Sequence, residues 1–275
     1  MAPERLRIFR ETVLAHYREH GRDLPWRRTS DPYAILVSEV MLQQTQVARV
    51  IPKYLEFLAA FPDLTALSAA PVASVLATWM GLGYNRRALA LHQAAQIVVS
   101  EHDGLIPDSP RTLRRLPGIG AATAAAVCVF AYEVPLTFIE TNIRAAFIHF
   151  FFQECDSVPD AAILPLVELT LDRERPRDWY YALMDYGVWV KRQFANPSRR
   201  SRHHTVQSPF AGSHRQLRAA LLRALVAAAP AGLPLAALLA AVQAPDTDTD
   251  RVAGTLQELA AEGFLVETAD GYRVA

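Results

Sequence analysis

The run Leu113-Arg114-Arg115-Leu116-Pro117-Gly118-Ile119-Gly120-Ala121-Ala122-Thr123-Ala124 places a tight turn directly ahead of a helical segment. Glycine lets a backbone approach a partner closely. The unpaired amides that open a helix favour a phosphate. The chemistry expected is a sequence-independent clamp on one DNA strand, although a bare Gly-x-Gly before a helix also fits an ordinary interhelical turn. A second feature agrees. Formal net charge is zero, yet no acidic residue occurs from Tyr186 to Arg223, where Lys191, Arg192, Arg199, Arg200, Arg202, Arg215, Arg218 and Arg223 fall. A basic segment in a neutral chain is an electrostatic footprint for phosphate; on charge alone a solvated linker fits equally. Cys128 and Cys155 are the only cysteines, too few for a disulfide framework or a four-thiolate zinc or iron–sulfur site. No metal or other cofactor is expected. The adjacent His203 and His204 read as surface residues.

These residues must be positioned by helices. Leu6, Phe9, Val13, Leu14 and Tyr17 recur at three- and four-residue spacing. Asp31-Pro32 opens a second helix, with Pro just inside its first turn. Pro52, Pro62 and Pro71 then punctuate segments at Lys53–Ala60, Leu64–Ala69 and Val72–Met80. Arg86–Glu101, Ser109–Arg115 and Ala121–Tyr132 follow, and alternating strand patterns are scarce before residue 260. The fold class is all-α. Asn196 to Gly212 reads as a linker. Helices at about His214–Ala228, Leu235–Val242 and Thr249–Glu262, then Phe264–Glu267 and Tyr272–Val274 around Ala269-Asp270-Gly271, spell a small winged-helix-like domain. Its third helix, with Asp248, Asp250, Glu258 and Glu262, suits packing or protein contact better than a DNA groove. No apolar run approaches the roughly 20 residues that span a bilayer. The opening Met1-Ala2-Pro3-Glu4-Arg5 is charged, unlike a secretory leader. A cytoplasmic, nucleoid-associated monomer is expected.

Leu24-Pro25-Trp26, Asp31-Pro32-Tyr33, the unusual run Ser38-Glu39-Val40-Met41-Leu42-Gln43-Gln44-Thr45-Gln46-Val47, Gly81-Leu82-Gly83-Tyr84, Leu116–Gly120 and Ala182-Leu183-Met184-Asp185-Tyr186-Gly187 carry a resemblance over roughly residues 8 to 190. The chain resembles the helix-hairpin-helix (HhH-GPD) DNA glycosylase superfamily, in its MutY/endonuclease III-like branch. The resemblance implies two helical lobes, bent duplex DNA and a target nucleotide flipped out of the stack. It assigns residues 29–139 to a six-helix lobe with the hairpin, 1–28 plus 140–200 to the other lobe, and leaves 208–275 as the winged-helix-like domain.

By the same resemblance Glu39 is the acid that protonates the departing base, which requires a carboxyl raised toward neutrality by burial. Gln44 is a wedge filling the gap left by the flipped nucleotide, with Gln43 beside it. Tyr84 lies against DNA, together with Asn85 and Arg86; Asn85 stands where a second tyrosine is usual. Pro117, Gly118, Ile119, Gly120, Ala122 and Thr123 form the phosphate clamp. Asn142, Arg144, Lys191, Arg199, Arg200 and Arg202 add DNA contacts. Four departures stand out. Glu140, in Phe138-Ile139-Glu140-Thr141-Asn142-Ile143-Arg144, replaces the aspartate that stabilises the sugar cation, and a shift near 1 Å costs on the order of a hundredfold. Ala122 replaces the lysine that forms a Schiff base in bifunctional members. No cysteine follows Cys155, so the iron–sulfur cluster of relatives is not expected. The domain that reads an oxidised guanine is replaced by the winged-helix-like segment.

The resulting expectation is a monofunctional glycosylase that excises a damaged or mispaired base from double-stranded DNA, with Glu39 and Glu140 catalytic. The alternatives are an abasic-site lyase or endonuclease of the same fold, a non-catalytic lesion-binding protein, and an operator-binding regulator.

Overall fold

The computed structural model describes residues 3–242 and 249–275. Met1, Ala2 and Asp248, singled out above, lie outside the described residues. In chain order the helices are α1 (Pro3–His20), α2 (Pro32–Leu42), α3 (Val47–Ala60), α4 (Leu64–Ala69), α5 (Val72–Trp79), α6 (Arg86–Glu101), α7 (Pro110–Leu113), α8 (Ala121–Tyr132), α9 (Thr141–Phe151), α10 (Asp160–Thr170), α11 (Pro176–Gln193), α12 (His214–Ala227), α13 (Leu235–Ala241) and α14 (Thr249–Ala261). The strands β1 (Leu265–Thr268) and β2 (Gly271–Val274) close the chain. Short 3₁₀ turns occupy Pro25–Arg27 and Pro197–Arg200.

Several starts have a local cause. Asp31 caps α2, its carboxylate accepting from the amides of Tyr33 at 3.1 Å and Ala34 at 3.2 Å. Asp63 caps α4 through Ala66 N at 2.7 Å. The sequence expectation of a helix starting at Lys53 is corrected: α3 begins at Val47 and carries Pro52 inside it. Proline costs only the bond that would reach the Ala48 carbonyl, and Val50, Tyr54 and Phe57 bury one continuous face across it.

The chain forms two compact units. The first comprises Met1–Glu39, Pro107–Arg115 and Ile119–Val206. At its centre Phe9 of α1 meets Phe147, Phe150 and Phe151 of α9 at 4.8–5.0 Å, and Trp179 of α11 edge-on at 6.2 Å. Helices α9 and α11 approach so closely that a Cβ built on Gly187 would lie 2.0 Å from the Asn142 carbonyl oxygen. Phe130 of α8 stacks on Tyr181 of α11 at 4.7 Å.

The second unit comprises Val40–Ile106, Leu116–Gly118 and Gln207–Ala275. Here α6 buries Ala88, Leu91, Ala94, Ala95 and Val98 against α4 and α5. Helix α12 packs on α5 and α14, with Leu217, Leu221 and Leu225 buried. The β1–β2 hairpin pairs Leu265 with Val274 and Thr268 with Gly271, so its turn is Ala269-Asp270 and Gly271 belongs to the strand. Leu233 and Tyr272 exchange both backbone hydrogen bonds, at 2.8 and 2.9 Å, and tie α12–α13 to the hairpin. The partition differs from the three-part division expected from the sequence. Helices α7 and α8 group with residues of the first unit, and the C-terminal segment groups with α5 and α6.

The expected linker at 196–212 is corrected at its start. Pro197, Ser198 and Ser201 are buried. Ser198 Oγ donates to Thr141 O at 3.1 Å, and Val158 donates its N–H to Arg200 O at 2.7 Å and accepts from Arg202 N at 3.2 Å. Among the described residues no helix is long and apolar enough to cross a membrane.

Candidate active site and DNA interface

Glu39 lies near the end of α2 in the wall of the first unit, between buried Ser38 and Val40. It accepts no hydrogen bond from the described residues, and burial, reinforced by the negative charge of Glu140, pushes its carboxyl up to about 8, while Arg27 pulls the other way. A carboxyl shifted in this direction favours its neutral form at neutral pH.

Glu140 caps α9. Its Oε1 accepts from Asn142 N at 2.7 Å and Ile143 N at 2.8 Å, and its Oε2 from Asn142 Nδ2 at 3.0 Å. The extra methylene of glutamate is absorbed in folding the side chain back onto its own helix. Oε1 is saturated, whereas Oε2 retains a lone pair. Lys191, in the last turn of α11, is half-buried; burial lowers its pKa, with the charge of Glu140 opposing and that of Arg22 adding to the effect.

Arg27, whose charge acts on Glu39, lies over the face of Tyr181 at 4.4 Å and grips Asp185 with two bonds of 2.8 Å. Arg22 adds its backbone amide at 2.8 Å and its Nε at 2.5 Å to the same carboxylate. Burial alone would raise the Asp185 pKa, but the Arg27 and Arg22 bonds outweigh it and hold the carboxyl below its ordinary range. The Tyr181 phenol is pushed up to about 12, chiefly by burial. Neither Arg27 nor Asp185 had been singled out as a site residue. The signal was weak: an Arg-Arg pair after Leu24-Pro25-Trp26 and one acid within a helix of aromatics.

The hairpin takes the form expected for the Pro-Gly-Ile-Gly run. Gly118 adopts φ 74°, and a Cβ there would lie 2.8 Å from that of Ala90, so only glycine fits. Ile119 is buried as the hydrophobic peg, while Gly118, Gly120, Ala121 and Ala122 are exposed and Pro117 and Thr123 half-buried. Gly120 opens α8 with no side-chain cap on its first amides.

Gln43 and Gln44 follow α2. Gln43 Nε2 donates to Gly118 O at 3.4 Å. Gln44 is exposed, has a left-handed backbone (φ 53°), and its amide oxygen meets Gln207 Nε2 at 3.3 Å. Tyr84 is likewise left-handed (φ 50°) and 38% exposed. Asn85 is the residue ahead of α6 and makes no side-chain cap bond. Arg86 pairs with Glu262 at 2.6 Å, which Arg218 also binds at 2.5 Å. Glu258 receives Arg218 and His214, each at 3.3 Å, so Glu258 and Glu262 are engaged within the second unit. The residue missed here is Arg87, which joins the Gln43–Thr45 and Gly83–Tyr84 segments. Its signal was legible: Arg87 continues the Leu91, Ala94, Val98 stripe of α6, where an arginine is out of place.

Other cations expected to touch DNA have intramolecular partners. Arg144 makes a fork to Asp160, both bonds 2.8 Å. Arg200 Nη1 donates to the carbonyls of Phe152, Gln153 and Cys155 at 2.6, 2.9 and 3.1 Å, closing the end of α9. Asn142 is occupied with Glu140. Arg199 and Arg202 are exposed, Arg202 reaching only Ser157 Oγ at 3.4 Å. Residues 194–206 offer no thiolate; among the described residues no three His, Cys, Asp or Glu side chains converge as metal ligands. An iron–sulfur group does not fit this donor set.

A helical fold with a glycine hairpin opening a helix agrees with the class that the comparisons define: a base-excision DNA glycosylase. Residues 37–177 match the family described as HhH-GPD superfamily base excision DNA repair protein. The chain is 39% identical over 180 residues to the adenine DNA glycosylase of Mycolicibacterium smegmatis, covering 65% of this chain and 61% of that one. It is 34% identical over 292 residues to the adenine DNA glycosylase of Mycobacterium tuberculosis (strain ATCC 25618 / H37Rv), covering 94% and 90%. A thermostable thymine-DNA glycosylase structure superposes with a TM-score of 0.59 at 25% identity, covering 67% of this chain and 86% of that one. A trapped endonuclease III–DNA intermediate superposes with a TM-score of 0.60 at 16% identity, covering 79% and 94%, a likeness of fold alone. The chain belongs to the HhH-GPD superfamily of base excision DNA repair proteins.

Proposed function

We propose that the protein is a monofunctional glycosylase that flips a mispaired or damaged purine out of duplex DNA and hydrolyses its N-glycosidic bond. The observation that carries this is the carboxyl pair of the first unit. One member, Glu39, is held protonated by burial and is free to give its proton to a ring nitrogen of the leaving base. The other, Glu140, is fixed by three N–H donors with Oε2 still open, and stabilises the positive charge that grows on the sugar. A neutral purine leaves far more readily than an anion, so the acid step is where Glu39 acts. Relatives named adenine DNA glycosylases make adenine in a mispair the first substrate to test. Ala122 has no amine for a Schiff base, which favours hydrolysis over strand incision. The protein works on DNA as a monomer at the nucleoid, held by the amides of Gly118–Gly120 and Ala121–Thr123 and by exposed Arg199 and Arg202, without an iron–sulfur cluster. Its C-terminal segment serves packing or protein contact.

Single-turnover reactions on labelled duplexes, each carrying one mispair, one lesion or one abasic site, test this. Breaks that appear only after alkali support a monofunctional glycosylase and name its base. Breaks without alkali refute monofunctionality.

The capping bonds of Glu140 favour a second reading, a lesion-binding protein that has lost catalysis. Glutamine at this position can still accept through Oε1. Glu140→Gln should therefore abolish excision and retain lesion binding in an enzyme; no excision of any base by the unaltered protein, with lesion binding retained, would establish the second reading.

A further inference from the structure

The guanidinium of Arg87 is the most heavily engaged cation of the second unit. Its Nη1 donates to Val40 O at 2.9 Å, Met41 O at 2.8 Å and Gln43 O at 2.6 Å. Its Nη2 donates to Thr45 Oγ1 at 2.9 Å and Gly83 O at 3.1 Å, and its Nε to Tyr84 O at 3.4 Å. The rings of Trp79 and Tyr84 lie 5.3 and 5.4 Å from its central carbon.

Two facts make this more than packing. First, the Val40 and Met41 carbonyls belong to the last turn of α2, whose acceptors have no partner within the helix and whose dipole end is negative. Second, two of the four left-handed non-glycine residues among those described, Gln44 and Tyr84, each directly follow a carbonyl that Arg87 holds, Gln43 O and Gly83 O. Such conformations persist only where surrounding bonds over-determine them. Gln44 and Tyr84 are exposed, whereas the guanidinium behind them is the shared anchor.

We propose that Arg87 is the positioning residue for base flipping, the clamp that holds Gln44 and Tyr84 projecting together so that they can enter the duplex. It touches neither the leaving base nor the sugar; it acts through the wedge. The inference rests on the glycosylase reading and adds to it the residue that sets the wedge. Lysine keeps the charge, but a single ammonium cannot fork between two segments in one plane.

The experiment compares the full chain with Arg87→Lys, Gln44→Ala and the double variant, using duplexes with 2-aminopurine beside a mispaired adenine. Matching duplexes place the target base in a one-nucleotide bulge, already unstacked. Circular dichroism and thermal melts establish that each variant is folded. Expected are binding by Arg87→Lys with loss of the fluorescence rise that reports unstacking. Excision from the paired duplex should slow by about a hundredfold, with excision from the bulge unchanged. The double variant should lose less than the product of the two single losses, because Arg87 acts in part through Gln44. Equal unstacking by Arg87→Lys and the unaltered protein would overturn the proposal. So would equal loss on paired and bulged duplexes, which would mark a general effect on the fold. Excision by the unaltered protein without unstacking would overturn this inference and leave the glycosylase reading intact; absence of both on either duplex would sink the two together.

Discussion

At the residue scale the decisive group is Glu39. Its folded pKa of about 8 lies above its ordinary value of 4.5 because burial and then Glu140 disfavour the charge. The folded protein therefore keeps a proton that the unfolded chain gives up between those limits. Two outcomes follow in opposite directions. Excision should hold level up to about pH 8 and fall about tenfold for each further pH unit, as one essential proton is lost; single-turnover rates across pH check this, and a profile that rises through pH 8 would exclude the acid role. For stability, the contribution of the protonated form is fully present below 4.5 and lost as pH rises through about 8. Glu39→Gln cannot ionise, so its melting temperature relative to the unaltered protein should improve as pH rises from 4.5 to about 8 and level off above that. Glu39 stood out in the sequence because it sits inside a long, chemically odd run of residues. Arg87 announced itself only as an arginine out of place in the apolar stripe of α6; what it holds, carbonyls of two distant segments, no local pattern announces. The bonds of Glu140 were equally hidden, because a rotamer decides whether a glutamate reaches out or folds back onto its own helix.

At the scale of elements the first unit depends on how closely α9 and α11 can approach. Gly187→Ala would put a methyl 2.0 Å from the Asn142 carbonyl oxygen, inside any tolerable contact. The helices must part, which costs about 1–3 kcal/mol and also shifts the helix that Glu140 caps. Urea denaturation should show that loss, and excision should fall with it; an unchanged midpoint would deny the close approach. Asp185 tests the other tie of α11. Its side chain is 1% exposed and holds Arg22 and Arg27. Asp185→Asn leaves a buried guanidinium uncompensated and should cost about 3–5 kcal/mol, read again from the urea midpoint. Helix existence was visible from three- and four-residue spacing, and the hairpin from its glycines. Boundaries failed where tertiary bonds override local signals. Pro52 marked an expected start but is carried within α3, whose apolar face is worth more than one lost hydrogen bond. The polar stretch from Asn196 looked like linker, yet Arg200 and Ser198 bind it to carbonyls around α9.

On the scale of the whole molecule, formal charge is zero, so binding to DNA must come from where cations are left free. The basic stretch from Lys191 to Arg223 overstates that supply. Arg200 is occupied by carbonyls, Arg215 by Ser208, and Arg218 by Glu258 and Glu262, while Lys191 is half-buried. Of that stretch, Arg192, Arg199 and Arg202 are the exposed cations that fall in the first unit. Each phosphate neutralised contributes a slope of about −0.9 to the dependence of log K on log salt. Three such contacts predict a slope of about −3, shallow for a duplex-binding protein, with the uncharged amides of the hairpin supplying the rest. Arg199→Ala and Arg202→Ala should each flatten the slope by about one and leave melting unchanged. Arg144→Ala and Arg200→Ala, which remove only internal ties, should lower the melting temperature and leave the slope as it was. Fluorescence anisotropy on one mispaired duplex across a salt series separates the two groups. A flattened slope for Arg200→Ala with unaltered stability would mean that this guanidinium leaves its carbonyls to grip phosphate when DNA binds.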